Sequence, residues 1–275
     1  MPLLMAVLLA FLLGSAGAAR ALDFGSDPDA LRDSVSARGD AIAEAWFILP
    51  TGRYDHFVHD NSAEAGGLRA RLADGRIVSM VLPSTEVFED SIVRLADLDG
   101  DGTEEIIAVL SSVSQGAALA VIGVDGDSLG IIAATPFIGQ PHRWLNPAQI
   151  ADFDGDGRLE IALVQMPHLV KRLELWRLEG SRLRRVAQVD DVSNHAIGTE
   201  QQSLSLARDF DGDGVPDLVI PSGGREALRV FSFAGGRVTE LAQLALDGAA
   251  VGDLTYEGTF SVRLADGRTQ RVAIP

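Results

Sequence analysis

The sequence predicts an all-β fold, a β-propeller of about five four-stranded blades, and three observations predict it. Acidic segments of one pattern recur at near-constant spacing. Gly-containing turns recur in step with them. The runs between are short, apolar and rich in Val, Ile, Leu and Ala.

Residues 96–109, 151–164 and 208–221 superpose without gaps, and their first aspartates, Asp97, Asp152 and Asp209, follow at intervals of 55 and 57 residues. A period of that size signals a propeller or solenoid. Hairpin turns are expected at Asp74-Gly75, Asp125-Gly126-Asp127, Glu179-Gly180-Ser181, Ala234-Gly235-Gly236 and Asp266-Gly267, because each sits between two alternating apolar runs. Five hairpins imply five blades in one domain over 22–275, with repeats at about 42–90, 91–145, 146–200, 201–248 and 249–275. In the second repeat the strands are expected near 92–96, 105–111, 118–124 and 129–134, with the acidic segment joining the first pair.

The first and last repeats are irregular. Thr51 to Asp55 aligns with Asp101 to Glu105, and Phe47 and Leu49 then occupy two earlier acidic positions. This blade is expected to fold without a cation. The last hairpin follows its predecessor by only 31 residues, too few for four strands. Residues within 22–45 are therefore expected to pair with the C-terminal strands and close the ring, which removes two sheet edges. The competing reading of Asp29 to Arg38 is a short surface helix.

Residues 3–13 are unbroken apolar, and Ala19-Arg20-Ala21 follows. This reads as a signal peptide over 1–21, although no Lys or Arg precedes the run. Eleven residues rise about 16 Å as a helix, roughly half a bilayer core. The mature chain is thus expected to be exported, periplasmic or extracellular, with no membrane span. The chain has no Cys, which excludes disulfides and thiolate metal sites. Its net charge of −16 argues against nucleic acid and anionic membrane surfaces as partners.

The acidic segments place carboxylates at alternate positions of a tight loop, where they converge on one point. The first offers Asp97, Asp99, Asp101, the Thr103 carbonyl and Glu105; the second Asp152, Asp154, Asp156, the Arg158 carbonyl and Glu160; the third Asp209, Asp211, Asp213, the Val215 carbonyl and Asp217. Six to eight such oxygens suit calcium. Acidic surface turns are the plainer alternative, but four carboxylates packed together repel unless a metal neutralises them. About three calcium ions are expected. An EF-hand is excluded, since it needs Glu at position 12, and that position holds Ala108, Leu163 and Ile220.

The Asp-x-Asp-Gly-Asp-Gly-x-x-Glu/Asp loops resemble those of the FG-GAP/VCBS-type repeats, calcium-binding propeller blades that also build the ligand-binding head of integrin α chains. The resemblance extends over roughly 42–275, although the Phe-Gly and Gly-Ala-Pro signatures of that family are absent. It implies a binding scaffold and names no ligand.

In a propeller the acidic loops lie at one end of the strands. At the other end the sequence gathers His59, His142, Arg143, Trp144, Asn146, His168, Asn194 and His195, with His56 beside them. Such loops suit a polar ligand, a sugar or a transition metal. Alternatively His and Asn cap strand ends and Trp144 packs between blades. No catalytic signature stands out. The expected function is a non-catalytic binding or scaffold module for a protein or carbohydrate ligand. The rival is a hydrolase or lyase acting at the histidine face on a polysaccharide or phosphoester. A metal there would require at least three of His59, His142, His168 and His195 to converge within about 5 Å.

Overall fold

A computed structural model describes residues 22–56, 58, 63–199, 201–202 and 204–274. The expected signal peptide (1–21) and His59 lie outside the described residues.

Strands dominate. The first repeat supplies β1 (Ile42–Thr51), β2 (Glu64–Leu72) and β3 (Ile77–Val81), followed by β4 (Glu86–Phe88). The second supplies β5 (Arg94–Ala96), β6 (Glu105–Ser112), β7 (Gly116–Asp125) and β8 (Ser128–Ala134), close to the expected strands. The third has β9 (Leu145–Ala151), β10 (Glu160–Gln165), β11 (Arg172–Glu179) and β12 (Arg182–Asp190). The fourth has β13 (Leu206–Arg208), β14 (Asp217–Pro221), β15 (Ala227–Ser232) and β16 (Thr239–Ala245). The last has β17 (Ala250–Tyr256), β18 (Phe260–Leu264) and β19 (Thr269–Val272). All five expected turns join consecutive strands; the one at Ala234–Gly236 is a single 3-10 turn.

The third, fourth and fifth repeats form separate antiparallel sheets of four, four and three strands. The first two share an eight-stranded sheet, because β4 pairs with β2 at Ala65 and with β6 at Leu110 to Ser112. Bulges recur at equivalent places on the outer strands β8, β12 and β16, where Ile132, Val186 and Leu241 are the extra residues opposite Val121/Ile122, Leu175/Trp176 and Val230/Phe231. An extra residue there bends the outer strand and sharpens its twist.

Side-chain alternation explains why the sheets stack. Ile106 and Ala108 of β6 pack backwards against Ile42, Phe47 and Leu68, while Ile107 and Val109 pack forwards against Ile161 and Leu163. Ala162 and Val164 of β10 then meet Leu218 and Ile220, and Val219 of β14 meets Phe260 and Val262. Alternate residues of a strand point to opposite faces, so a strand buried on both faces must be apolar throughout. β6 and β14 are buried along their whole length, whereas outer β12 is mostly exposed and carries Arg182, Arg184 and Arg185.

Three expectations are corrected. First, β1 runs unbroken through Phe47 and Leu49 and pairs with β2 from Ile42 to Thr51. It corresponds to β6, so the acidic-loop position of the first repeat lies before Ile42 and not at Thr51 to Asp55. There the Glu104 carboxylate accepts the N–H groups of Asp40 (2.6 Å), Ala41 (3.0 Å) and Ile42 (3.1 Å). Second, among the described residues, 22–45 make no strand pairing with β17–β19. They bridge locally instead, Ala30 to Ile48, Ala37 to Ala45 and Val35 to Ile92. Third, Asp29 to Arg38 forms turns and isolated bridges, not a helix.

The N-terminal segment has a different task. Leu22, Phe24 and Ala30 cover Trp46, Ile48 and Leu49 on the face of β1 turned away from the second repeat. Wholly buried Asp27 pins this cover by accepting hydrogen bonds from Trp46 Nε1 (2.7 Å), Arg69 (2.5 Å) and the Asp29 N–H (2.9 Å). Among the described residues, no helix is long and apolar enough to cross a membrane.

Candidate metal centres and the opposite face

The loops β5–β6, β9–β10 and β13–β14 share one hydrogen-bond scheme. The first aspartate accepts two backbone N–H groups: Asp97 from Gly100 (2.8 Å) and Gly102 (3.0 Å), Asp152 from Gly155 and Gly157 (both 2.8 Å), Asp209 from Gly212 (2.6 Å) and Gly214 (3.0 Å). The second and third aspartates each accept the N–H two residues on. This curl needs φ near +80° at Gly100 and +88° at Gly102, a region that costs other residues strain. Gly155 has a second reason to be glycine. A Cβ there would lie 2.8 Å from Val215 Cγ2, so its absence lets the third loop seat against the second.

The closing acid starts the next strand and is buried. Glu105 Oε2 accepts the Leu98 N–H (2.8 Å), Glu160 Oε2 that of Phe153 (2.9 Å) and Asp217 Oδ2 that of Phe210 (2.8 Å). Burial, reinforced by Asp99, Asp101 and Asp97, pushes the Glu105 carboxyl up to about 7. Burial likewise raises Asp217, with Asp211, Asp213 and Asp209 adding to it.

Carboxylate oxygens of Asp97, Asp99 and Asp101 lie within 4.8 Å of one another, as do those of Asp209, Asp211 and Asp213. Oxygens about 2.3–2.6 Å from a common centre can be no farther apart than about 5 Å, so this spacing fits a hard divalent cation. Asp217 is 1% exposed and its Oδ1 has no hydrogen-bond partner. An ionised oxygen left so is costly, and a cation would satisfy it. In the second loop the compact group is Asp152, Asp154 and Glu160. Asp156 is drawn off by Arg158 (2.9 Å) and Arg177 (3.0 Å).

The segment holding the first two loops matches a family by sequence. Residues 97–163 match the FG-GAP-like repeat family. No curated protein matches the chain. Among solved structures it is similar, at 14% identity in each case, to the exotype rhamnogalacturonan lyase YesX (87% of this chain, 54% of that one, TM-score 0.45). It is similar also to a rhamnogalacturonan lyase of Bacillus licheniformis (90% and 58%, TM-score 0.45) and to the calcium-binding protein regucalcin of Agrobacterium tumefaciens (90% and 76%, TM-score 0.38). The chain spans about half the length of the lyases it matches.

At the end of the strands opposite the acidic loops lies a cavity of about 310 Å³. It is lined by His56, His142, Arg143, Trp144, Met166, Pro167, His168 and Leu169, which come from three successive repeats. Gly116 makes the approach possible. Its φ is +73°, and a Cβ would lie 2.2 Å from the Gln140 carbonyl and 2.8 Å from that of Arg143, so only glycine lets the 135–144 connection lie here.

The histidines gather as two pairs, not as one cluster. His168 Nε2 lies 2.8 Å from His195 Nδ1, and His195 Nε2 lies 2.9 Å from the Thr199 carbonyl. His56 meets Glu89 at 2.6 Å, while His142 meets Asp55 at 3.2 Å, their rings 5.4 Å apart. Among the described residues, the only groups of three or more ligands compact enough for a metal are in the acidic loops. His142, His168 and His195 do not form such a group by themselves, and His59, the fourth candidate, lies outside the described residues. Asn146 and Asn194 are a further correction. Both are fully buried and tie backbone to backbone, Asn146 donating to the Asn194 and Gln202 carbonyls and Asn194 to those of Asn146 and Pro147. Trp144, 3% exposed, donates to the Glu89 carbonyl and packs into the core.

Sequence reasoning missed Tyr54, Glu64, Glu89 and Arg177. The phenol of Tyr54 accepts the His142 N–H (2.7 Å). Glu64 is pushed up to about 7 by burial and by the Glu89 charge. His168 is pushed down to about 4, chiefly by burial, then by His195 and Arg225. A lowered histidine pKa means that the unfolded chain binds the extra proton, so stability is full at neutral pH and falls as the pH drops from about 6.5 towards 4. After discounting for the exposed part of the ring, acidification across that window should cost on the order of 2 kcal/mol. Urea denaturation at several pH values should reveal this slope, and His168→Gln should flatten it.

Proposed function

We propose that this chain is an exported, calcium-braced β-propeller, one domain over residues 22–275 with about five blades, and that it acts as a non-catalytic binding module. Calcium at the acidic loops ties the first two strands of a blade together, with carboxylates and the Thr103, Arg158 or Val215 carbonyls as ligands. It takes the place of the disulfides that this chain lacks. The cavity on the opposite face is the ligand site. Its imidazoles and Arg143 offer hydrogen-bond donors, and Met166, Pro167 and Leu169 offer an apolar wall, a combination suited to a polar ligand such as a carbohydrate.

The observation that carries this reading is the separation of the two ends. Acidic loops at one end fix the blades, while connections from three repeats converge at the other to line one cavity. The test is a glycan-panel binding assay on the mature protein with calcium present. Wild type should bind, and the double variant His142→Ala/Arg143→Ala should lose at least tenfold in affinity with an unchanged melting point, since both side chains are partly exposed. Equal binding by the two proteins would remove the cavity from the function.

One observation favours the rival hydrolase or lyase: His168 of this cavity is pushed down to about 4, while Glu64, which feels the charge of the cavity residue His56, is pushed up to about 7. Perturbed acid–base pairs concentrate at active sites. Turnover of a bound glycan, abolished by His168→Gln with binding retained, would decide for the enzyme.

A further inference from the structure

The three acidic loops are alike in sequence but not in surroundings. Arg177 of β11 stands opposite Glu160 in the strand register, and its side chain is 4% exposed. Its guanidinium reaches three of the four carboxylates of the second loop: Nε to Glu160 Oε1 (2.6 Å), Nη2 to Asp154 Oδ2 (2.6 Å) and Nη1 to Asp156 Oδ2 (3.0 Å). Arg158 adds a second positive group on Asp156.

Among the described residues, no guanidinium pairs with the carboxylates of the other two loops; Arg76, which shares a cavity with the first loop, pairs instead with Asp74 (2.8 Å) and Asp127 (3.2 Å). The register that pairs Ile106 with Ile122 brings Gly123 opposite Glu105, and the one that pairs Leu218 with Phe231 brings Ser232 opposite Asp217. Gly123 leaves a cavity of about 560 Å³ where Arg177 lies in the second loop, and Asp99, Asp101, Thr103 and Glu105 line it. At the third loop, buried Asp217 Oδ1 is left without a partner, whereas Glu160 Oε1 is bonded by Arg177.

From this we infer that Arg177 is a built-in cation that takes calcium's place in the second loop, so that the protein binds two calcium ions, at the loops 97–105 and 209–217. The inference rests on the calcium reading proposed above and revises its count of about three. A divalent ion among the second-loop carboxylates would sit a few ångströms from a fixed, desolvated guanidinium. At an effective dielectric near 20, like unit charges at about 4 Å already cost about a thousandfold in binding. The second loop would then serve as a calcium-independent brace: β9, β10 and β11 remain tied together when the ion is withdrawn from its neighbours.

The test counts ions on the full mature chain, by native mass spectrometry and by calorimetric titration of calcium into chelator-treated protein. Wild type should bind two. Asp99→Asn and Asp211→Asn should each lower the count by one, and Asp154→Asn should leave it at two. Arg177→Met, refolded with calcium present, should raise it to three. Should that variant fail to fold, the Asp154→Asn count still decides. Three ions on wild type, with Asp154→Asn reducing them to two, would overturn the inference and leave the calcium reading intact. Any wild-type count other than two overturns the inference, and a count of zero overturns the calcium reading as well.

Discussion

Exhaustive chelation should lower the melting midpoint of this protein by about 10–20 °C. At free calcium about a hundredfold above the dissociation constant, each ion adds about 2.7 kcal/mol to stability. Two ions therefore add roughly 5 kcal/mol, and a domain of this size shifts by about 2–4 °C per kcal/mol. The electrostatics point the same way. Glu105 is pushed up to about 7 by burial among Asp97, Asp99 and Asp101, and a cation beside these carboxylates would favour its ionised form. The measurement is a calorimetric scan with excess EDTA and again after calcium is restored. A midpoint that ignores both additions would contradict structural calcium. Because Arg177 already neutralises the second loop, the chelated protein should keep that blade and melt first at its neighbours; hydrogen exchange should show β5–β6 and β13–β14 loosening before β9–β10.

Asp27→Ala should be the most damaging single substitution away from the acidic loops, at about 3–5 kcal/mol. The carboxylate is fully buried between Trp46 Nε1 and Arg69. Its removal strands a largely buried guanidinium and an indole N–H, and breaking a buried pair on one side costs that much. Burial raises the Asp27 pKa, but the Asp29 N–H, Trp46 and Arg69 together outweigh it and hold the carboxyl below the usual carboxylate range. A depressed carboxylate contributes stability that is complete above the unfolded value near 3.8 and is lost as the pH falls through the folded one. The substitution should therefore cost most at neutral pH and progressively less below about pH 4. Urea unfolding at pH 7 and pH 3 checks both statements. A loss under about 1 kcal/mol at pH 7 would mean that residues 22–31 do not cover β1 in solution.

Much of this architecture could be read from residue order alone, because its rules are local. A Gly with positive φ between two apolar runs makes a hairpin wherever it stands, and all five hairpins were expected from such signals. The acidic loops were legible for the same reason: Asp97, Asp152 and Asp209 bond to N–H groups three and five residues away, so the motif carries its own geometry. The histidine end was legible in outline, since antiparallel strand order decides which loops share an end.

What failed depended on contacts between residues far apart in sequence. The alignment of the first repeat slipped by one strand because Phe47 and Leu49 look the same in a loop or a strand until β2 pairs with them. The N-terminal segment was expected to close the ring from counting residues alone. Its role is set by Trp46 and Ile48, whose outward face Leu22, Phe24 and Ala30 cover. In the sequence Asn146 and Asn194 suit either a ligand surface or caps on loop carbonyls; the structure makes them caps, on backbone carbonyls about 50 residues away, and that proximity exists only after two repeats pack.

The sequence by itself determined the all-β class, the repeat, the five turns and the three carboxylate loops, since each follows from interactions within a few residues. Only the tertiary structure decided which loop already holds a positive charge. Arg177 is ordinary in the sequence, and what makes it a cation for the second loop is the register of β10 on β11, which brings a guanidinium 17 residues from Glu160 into the place that Gly123 leaves open in the repeat before.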